Sequence, residues 1–367
     1  MQRRSFLKKA SMGAVAGGAA VAAPVFAQDA PTLNWRMASS FTRSLDTLYG
    51  GSEQFAKYVS EATNGKFNIR IFPGGEIVPA LQVLDAVQKN TVEMGHSSGY
   101  YYYGKDPSLC FDTAVPFGLT ARQMNAWMWE GDGMKMMRDL YKDYSIVNFP
   151  LGNTGAQMGG WYRKEIKTVE DLKGLKMRTA GFAGEVLSRL GVVPQQLAGG
   201  DIYPALEKGT LDAVEFVGPY DDEKLGFAKV AKYYYTPGWW EGGAQTSLYV
   251  NQGEYQKLPK SYQVIIDAAT RATTISMTAR YDNLNSTAMK RLLAQGTQLR
   301  VFPRAVLDAS WDASLVVYGE FAAKNPRFKA IYENYMSWRN QLVDWFRVSE
   351  LTYEQFISAK LGQLNRK

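Results

Sequence analysis

The chain has 367 residues, 46% hydrophobic and 21% charged, which suits two lobes better than one core and excludes a disordered chain. Its formal charge of +7 comes mostly from the first 27 residues, which hold Arg3, Arg4, Lys8 and Lys9 and no acid; without them 38 basic residues face 35 acidic ones. Those basic residues are interleaved with acids rather than gathered in a patch, which argues against nucleic acid as a partner, while one cysteine (Cys110) and one histidine (His96) exclude an intrachain disulfide and a multi-histidine zinc site.

The segment Arg3-Arg4-Ser5-Phe6-Leu7-Lys8, a small apolar run from Ala10 to Ala23 and the end Pro24-Val25-Phe26-Ala27 read as a signal peptide of the twin-arginine type over residues 1–27. A general secretory signal that happens to carry paired arginines is the alternative. No later run is apolar over the length that a bilayer requires. The mature chain is therefore expected to be exported and soluble, outside the cytoplasmic membrane and away from ATP and nicotinamide cofactors.

Leu33 to Ser39 reads as a first strand, Thr47 to Thr63 as an amphipathic helix stopped by Asn64-Gly65, and Phe67 to Phe72 as an alternating strand broken by Pro73-Gly74-Gly75. A short helix at Ala80 to Lys89 and a strand at Val92 to His96 complete a β-α-β-α-β order, expected of an α/β lobe with a mostly parallel sheet. Helical patterns follow at Ala121 to Tyr141. A second set begins at Ile146 to Leu151 and continues with a strand at Leu175 to Arg178, a helix at Ala183 to Leu190, a helix at Ile202 to Lys208 and a strand at Ala213 to Phe216. Three long helices follow, at Tyr262 to Leu293, Leu307 to Asn325 and Lys329 to Trp345. The expected division is residues 28–150 mainly in one lobe, 151–250 mainly in the other, and 251–367 as a helical part packing on both. The lobes are expected to be discontinuous, with strands near Pro150 and Tyr249 crossing between them.

A weak internal echo supports two related lobes. Ala86, Lys89 and Thr91 match Ala205, Lys208 and Thr210 under one offset, each set closing a helix and turning into a strand. Ligands of open α/β sheets lie beyond the carboxyl ends of strands. Those ends are here His96 to Tyr102 and Glu215 to Gly218.

Arg178 closes a short strand after a glycine turn. Its planar fork is suited to a carboxylate, although a surface salt bridge is the plain alternative. Glu215 ends an apolar strand, and Glu241 sits between Trp239-Trp240 and Gly242-Gly243. A buried carboxylate needs a cation, an arginine or a proton. Two carboxylates and the Gln157 amide oxygen would make a cage for a hard cation such as Na+ or Ca2+; two independent ion pairs are the alternative. Paired carboxylates also hydrolyse glycosides, but no feature selects that reaction. The run Tyr100 to Tyr103 and Trp239-Trp240 read either as pocket walls or as core packing.

These features together resemble the DctP-type binding proteins of TRAP (tripartite ATP-independent periplasmic) transporters. The resemblance rests on Phe72-Pro73-Gly74-Gly75-Glu76, on Val169-Glu170-Asp171-Leu172-Lys173-Gly174-Leu175-Lys176-Met177-Arg178, on Ala205-Leu206-Glu207-Lys208-Gly209-Thr210-Leu211-Asp212-Ala213-Val214-Glu215, and on the long C-terminal helices. It covers nearly the whole mature chain and is strongest for the 2-oxoacid-binding branch. It implies a two-lobed α/β periplasmic binding protein with a ligand cleft between the lobes and long C-terminal helices. The implied protein is not an enzyme. It captures a pyruvate-like 2-oxo or 2-hydroxy monocarboxylate and delivers it to integral membrane subunits.

Carried over by residue, the resemblance puts the substrate carboxylate on Arg178. It puts a bridging metal cation, Na+ rather than Ca2+, on Gln157, Glu215, the Phe216 carbonyl and Glu241. Gln157 and Tyr101 become further substrate contacts, and Asn153 a weaker candidate. Phe216 stands where a relative has tryptophan, which a backbone ligand tolerates. The same branch resembles proteins that dimerise through an exchanged C-terminal helix, and the aromatic stretch Tyr332 to Trp345 would permit a homodimer. A dicarboxylate or sugar acid is the alternative ligand. A periplasmic metal-dependent hydrolase or lyase is the rival function; the single histidine and the lack of a nucleophile–base pair argue against it.

Overall fold

In the computed structural model, residues 30–364 are described; the expected signal peptide over residues 1–27 lies outside them. Alternating apolar side chains build strands β1 (Leu33–Ser39) and β2 (Phe67–Phe72) at the expected bounds. Between them the helix Leu48–Ala62 buries Leu48, Tyr49, Phe55 and Val59. It stops where Asn64 and Gly65 adopt positive φ of 50° and 74°, a conformation that asparagine and glycine tolerate best.

The remaining strands are β3 (Met94–Ser97), β4 (Ile146–Asn153), β5 (Trp161–Tyr162), β6 (Lys176–Arg178), β7 (Val193–Gln195), β8 (Ala213–Val214), β9 (Tyr233–Thr236), β10 (Gln245–Asn251) and β11 (Gln298–Val301). They form two sheets, one for each lobe. The first has five strands in the order β2-β1-β3-β10-β4, and the second six in the order β11-β9-β5-β8-β6-β7. In the first sheet β1 runs parallel to β2 and β3, while β10 is antiparallel to β3 and β4. In the second, β6 is parallel to β7 and β8, and β5 is antiparallel to β8 and β9.

The chain therefore leaves the first sheet after Asn153 and returns to it at Gln245. The run Ile146 to Leu151, expected to begin a second set, instead pairs with β10 in the first sheet. Its residues are nearly all buried, and a strand buried on both faces shows no alternation that would tell which sheet it joins. The helical patterns expected over Ala121 to Tyr141 are two helices, Ala121–Glu130 and Gly133–Tyr141. A side chain at Gly131 or Gly133 would collide with the Trp338 or Trp127 ring respectively, so both glycines stand where the chain turns against aromatic rings.

One face of the first sheet buries Trp35, Met37, Phe55, Phe67, Phe149, Leu248, Val250 and Ile266 in a core of its own. A larger core continues under the rest of the molecule and includes Tyr162, Met177, Val186, Ile202, Phe227 and Tyr234. The helix Lys260–Ala294, about 50 Å long at the usual rise, passes both lobes. Near its start Tyr262 stacks on Phe67 at 5.4 Å, and further along Tyr281 donates to Asp221 at 2.6 Å. His96 is fully buried, 2.6 Å from Ser52 Oγ and 2.9 Å from Thr246 Oγ1. Burial drives its pKa down to about 3, so it is a neutral core residue rather than an acid or base.

Candidate functional site

Arg178 is the last residue of β6 and lies opposite Val214 of the parallel strand β8. Arg178 and Glu215 therefore leave the sheet side by side at its carboxyl edge. The Glu215 amide donates to the Arg178 carbonyl at 3.2 Å. In return Arg178 Nη1 donates to the Glu215 carbonyl and to Oε1, each at 2.7 Å, and Nε donates to the Leu197 carbonyl at 3.2 Å. Both side chains are 1% exposed. The guanidinium lies 5.3 Å from the centre of the Phe216 ring. One edge of the arginine is thus used up by the protein, while Nη2 is buried and has no partner.

Gln157 and Glu241 come from irregular segments, and backbone bonds hold them together. The Gln157 amide donates to the Glu241 carbonyl at 3.1 Å, the Glu241 amide to the Gly238 carbonyl at 3.0 Å, and the Gly238 amide to the Gln157 carbonyl at 3.2 Å. A Cβ at position 238 would sit 2.5 Å from that Gln157 oxygen, so only glycine allows the approach. Gln157 Nε2 donates to Thr154 Oγ1 at 3.2 Å, which turns Oε1 the other way. Among the described residues Gln157 Oε1, Glu215 Oε2 and Glu241 Oε2 are all buried without a hydrogen-bond donor.

The charges tie these groups into one site. Burial pushes the Glu241 carboxyl well above its usual range, and the Glu215 charge adds to this, against the pull of Arg178. Burial also raises Glu215, opposed mainly by Arg178. Burial works against the Arg178 charge, and the Glu215 charge together with those of Tyr101, Tyr100 and Glu241 outweighs it, so its pKa rises. Tyr101 is raised by burial and lies in the fields of Arg178, Glu215 and Glu241; Tyr100 is raised by burial and next by Glu241. Two carboxylates against one guanidinium leave a formal charge of −1 in an enclosure sealed from water. A buried charge of that kind demands a cation or a proton.

The donor set fits a hard cation. Unpartnered oxygen atoms are what such an ion takes; the Gln157 oxygen is an acceptor only, and the two carboxyl oxygens are so once ionised. No three His, Cys, Asp or Glu side chains cluster to hold a metal among the described residues; a cation here would take an amide or carbonyl oxygen besides the two carboxylates. The structure thus brings Arg178, Glu215, Phe216 and Tyr101 together, and joins Gln157 to Glu241, which the Glu215 charge in turn reaches. Asn153 Oδ1 accepts from the Gly155 amide at 3.0 Å, shaping the turn out of β4, and its Nδ2 is also buried without a partner. Sequence reasoning missed the Leu197 carbonyl, which steers Arg178, and Thr154, which orients Gln157. Neither carries a pattern that marks it.

Comparison with known proteins places the chain in a family. Residues 38–325 match the DctP model of bacterial extracellular solute-binding proteins, family 7, and the chain belongs to that family. A monocarboxylate 2-oxoacid-binding periplasmic protein of Nostoc sp. is 51% identical over 329 residues, covering 90% of each chain. A TRAP transporter solute-binding protein from Bordetella bronchiseptica, a mixed-occupancy dimer with calcium and picolinate in one active site, superposes with a TM-score of 0.90 at 50% identity, over 91% of this chain and 99% of that one. A TRAP periplasmic solute-binding protein from Pseudoalteromonas atlantica with bound sodium and pyruvate gives 0.86 at 39% identity, over 88% and 99%.

Proposed function

We propose that this protein is the extracytoplasmic receptor of a TRAP transporter and captures a 2-oxo or 2-hydroxy monocarboxylate of about the size of pyruvate together with a metal cation. The observation that carries this reading is that four of the fourteen buried, unpartnered side-chain atoms among the described residues belong to these residues: one guanidinium nitrogen on Arg178 and one oxygen each on Gln157, Glu215 and Glu241. A carboxylate suits the first and a hard cation the others. A 2-oxo group beside the carboxylate is the added oxygen that ties ligand to cation. The 2-oxoacid-binding Nostoc relative and the pyruvate-bound Pseudoalteromonas structure support the ligand class.

In this reading Arg178 holds the substrate carboxylate, Gln157 and Tyr101 contact the substrate, and Gln157, Glu215, the Phe216 carbonyl and Glu241 hold the cation. The protein binds and releases without catalysis. Sodium, expected from the sequence, meets a charge argument. Ligand, Arg178 and two ionised glutamates sum to −2, which calcium cancels and sodium half cancels. Sodium therefore goes with a protonated Glu241, and calcium with an ionised one.

Periplasmic location fits the family and the expected export signal, and no described helix is long and apolar enough to cross a membrane. A homodimer is supported by the C-terminal end. The helix Thr352–Leu364 exposes Tyr353, Phe356, Ile357 and Leu361, and Trp345 and Val348 before it are exposed as well. Exposed apolar side chains gathered in this way mark interaction sites. Light scattering on the mature protein should give twice the chain mass, and the mass of a single chain would refute pairing.

Thermal unfolding against a panel of organic acids tests the ligand class, because a ligand of the native state raises the midpoint by mass action. Stabilisation by pyruvate, 2-oxobutyrate or lactate, enhanced by Na+ or Ca2+, is the expected result. Stabilisation by dicarboxylates or sugar acids alone would refute the ligand class while leaving the receptor role intact.

A further inference from the structure

The loop after β1 belongs to the first lobe, and the helix Pro219–Leu225, which follows β8, belongs to the second. They meet at Asp46. Its Oδ1 accepts from the Lys224 ammonium, and its Oδ2 accepts from the Tyr220 hydroxyl at 3.1 Å and from Arg280 Nη2 at 2.9 Å. The ammonium of Lys224 also lies 4.2 Å from the centre of the Tyr220 ring. Arg280 stands on the helix that passes both lobes, and its Nε reaches Thr47 Oγ1 at 3.3 Å.

The second-lobe side of this contact is firmly seated. The Tyr220 amide donates to Asn285 Oδ1 at 3.0 Å. Asp222, in the same helix, accepts from Trp161 Nε1 at 3.0 Å and from the Tyr234 hydroxyl at 2.7 Å. Lys224 and Tyr220 therefore travel with the second sheet, and Asp46 with the first. An opening of the cleft would pull them apart. Burial opposes the Asp46 charge, but the hydrogen bonds from Lys224 and Tyr220, with the charges of Lys224 and Arg280, together outweigh it and hold the carboxyl below its usual range.

We infer that Asp46 is an inter-lobe latch, a positioning residue whose bonds to Lys224 and Tyr220 exist only in the closed form and slow the escape of the ligand. This rests on the reading of the protein as a receptor whose lobes close over an organic acid. An exposed ion pair adds little to the stability of a fold. A contact present in one of two conformations has a different effect, because all of its free energy goes into their ratio. The pair is also partly exposed, 28% for Lys224 and 42% for Asp46, so salt screens it.

The test uses the mature protein, Asp46→Asn, Lys224→Met and the double variant, with pyruvate and Ca2+ as probe. Spin labels on cysteines placed at the exposed Lys89 and Lys208 report the lobe separation, and the native Cys110 is buried and stays unlabelled. Each single variant is expected to bind pyruvate about two- to fivefold more weakly, through faster dissociation. The double variant is expected to lose no more than either single one. The difference from wild type should fade at high salt, and the label distances of the variants should extend to longer values. Wild-type affinity, wild-type dissociation and superimposable distances in both single variants would overturn the latch. If the wild-type protein fails to bind pyruvate, the ligand assignment falls and the distances alone decide: longer in Asp46→Asn supports the latch, and coincidence overturns it.

Discussion

Arg178 gives Glu215 only one of its two terminal nitrogens. Nη1 reaches both the Glu215 carbonyl and its carboxylate at 2.7 Å, while Nη2 and Glu215 Oε2 are buried without partners. A structural ion pair would be expected to use the whole fork. This one is arranged so that each partner keeps one atom for something else.

That arrangement predicts what substitution does. Arg178→Lys keeps the positive charge that stabilises Glu215 but loses the fork. The variant should fold and should bind 2-oxoacids about 100-fold more weakly, in line with the loss of charge-assisted hydrogen bonds. Arg178→Ala should in addition lose about 3–5 kcal/mol of stability, because it leaves a buried carboxylate alone. Calorimetric titration and chemical unfolding read the two effects separately. Unchanged affinity in Arg178→Lys would remove the arginine from the ligand site.

The raised Glu241 carboxyl couples cation uptake to protons. Calcium binding near neutral pH should expel a proton from Glu241, and sodium binding should not. Titrations in buffers of different ionisation enthalpy count that proton. In Glu241→Gln the calcium-linked proton should vanish and calcium affinity should fall about tenfold or more. An undiminished proton release in that variant would place the titrating group elsewhere.

Away from the site, burial raises Asp112 and Asp222 to about 7 and Asp221 to about 6. These groups keep protons in the folded chain that the unfolded chain releases near pH 4. Folding stability should therefore fall as pH rises from about 4 to about 7, and level off above the folded values. Asp112 accepts from Asn148, Gln245 and Tyr141, and an asparagine there keeps the shape without the charge. Asp112→Asn should be about 1–3 kcal/mol more stable than wild type at pH 8 and show no gain at pH 4. Denaturant unfolding at the two pH values checks this, and equal stability of the two proteins at pH 8 would contradict it.

Much of the fold was legible where side-chain alternation is long enough to count. Strands β1 and β2 are read at their true bounds, and the helix after β1 within one residue. Strands β5 and β8 hold two residues each, too few for any period, and β8 ends at Val214 rather than Phe216. Strands β7, β9 and β11 went unread for similar reasons of length. Arg178 and Glu215 were legible as chemistry because each ends a glycine-introduced or apolar strand. Glu241, set between tryptophans and glycines, and the Gln157 amide were legible only as one side of a choice between a cation cage and two ion pairs, since they lie in irregular backbone and meet through main-chain bonds that no side-chain pattern encodes. Their roles in the proposed site came from family resemblance. The exposed apolar face of Thr352–Leu364 was missed because its residues follow a helical period without the core that such a period normally signals.

The central claim is that ligand and cation are held as one unit. Calorimetric titration of pyruvate into mature protein stripped with chelator in sodium-free buffer, and again after adding back Na+ or Ca2+, tests it most directly. The account predicts tight binding with the cation and at least a tenfold loss without it; the same affinity in both would contradict it.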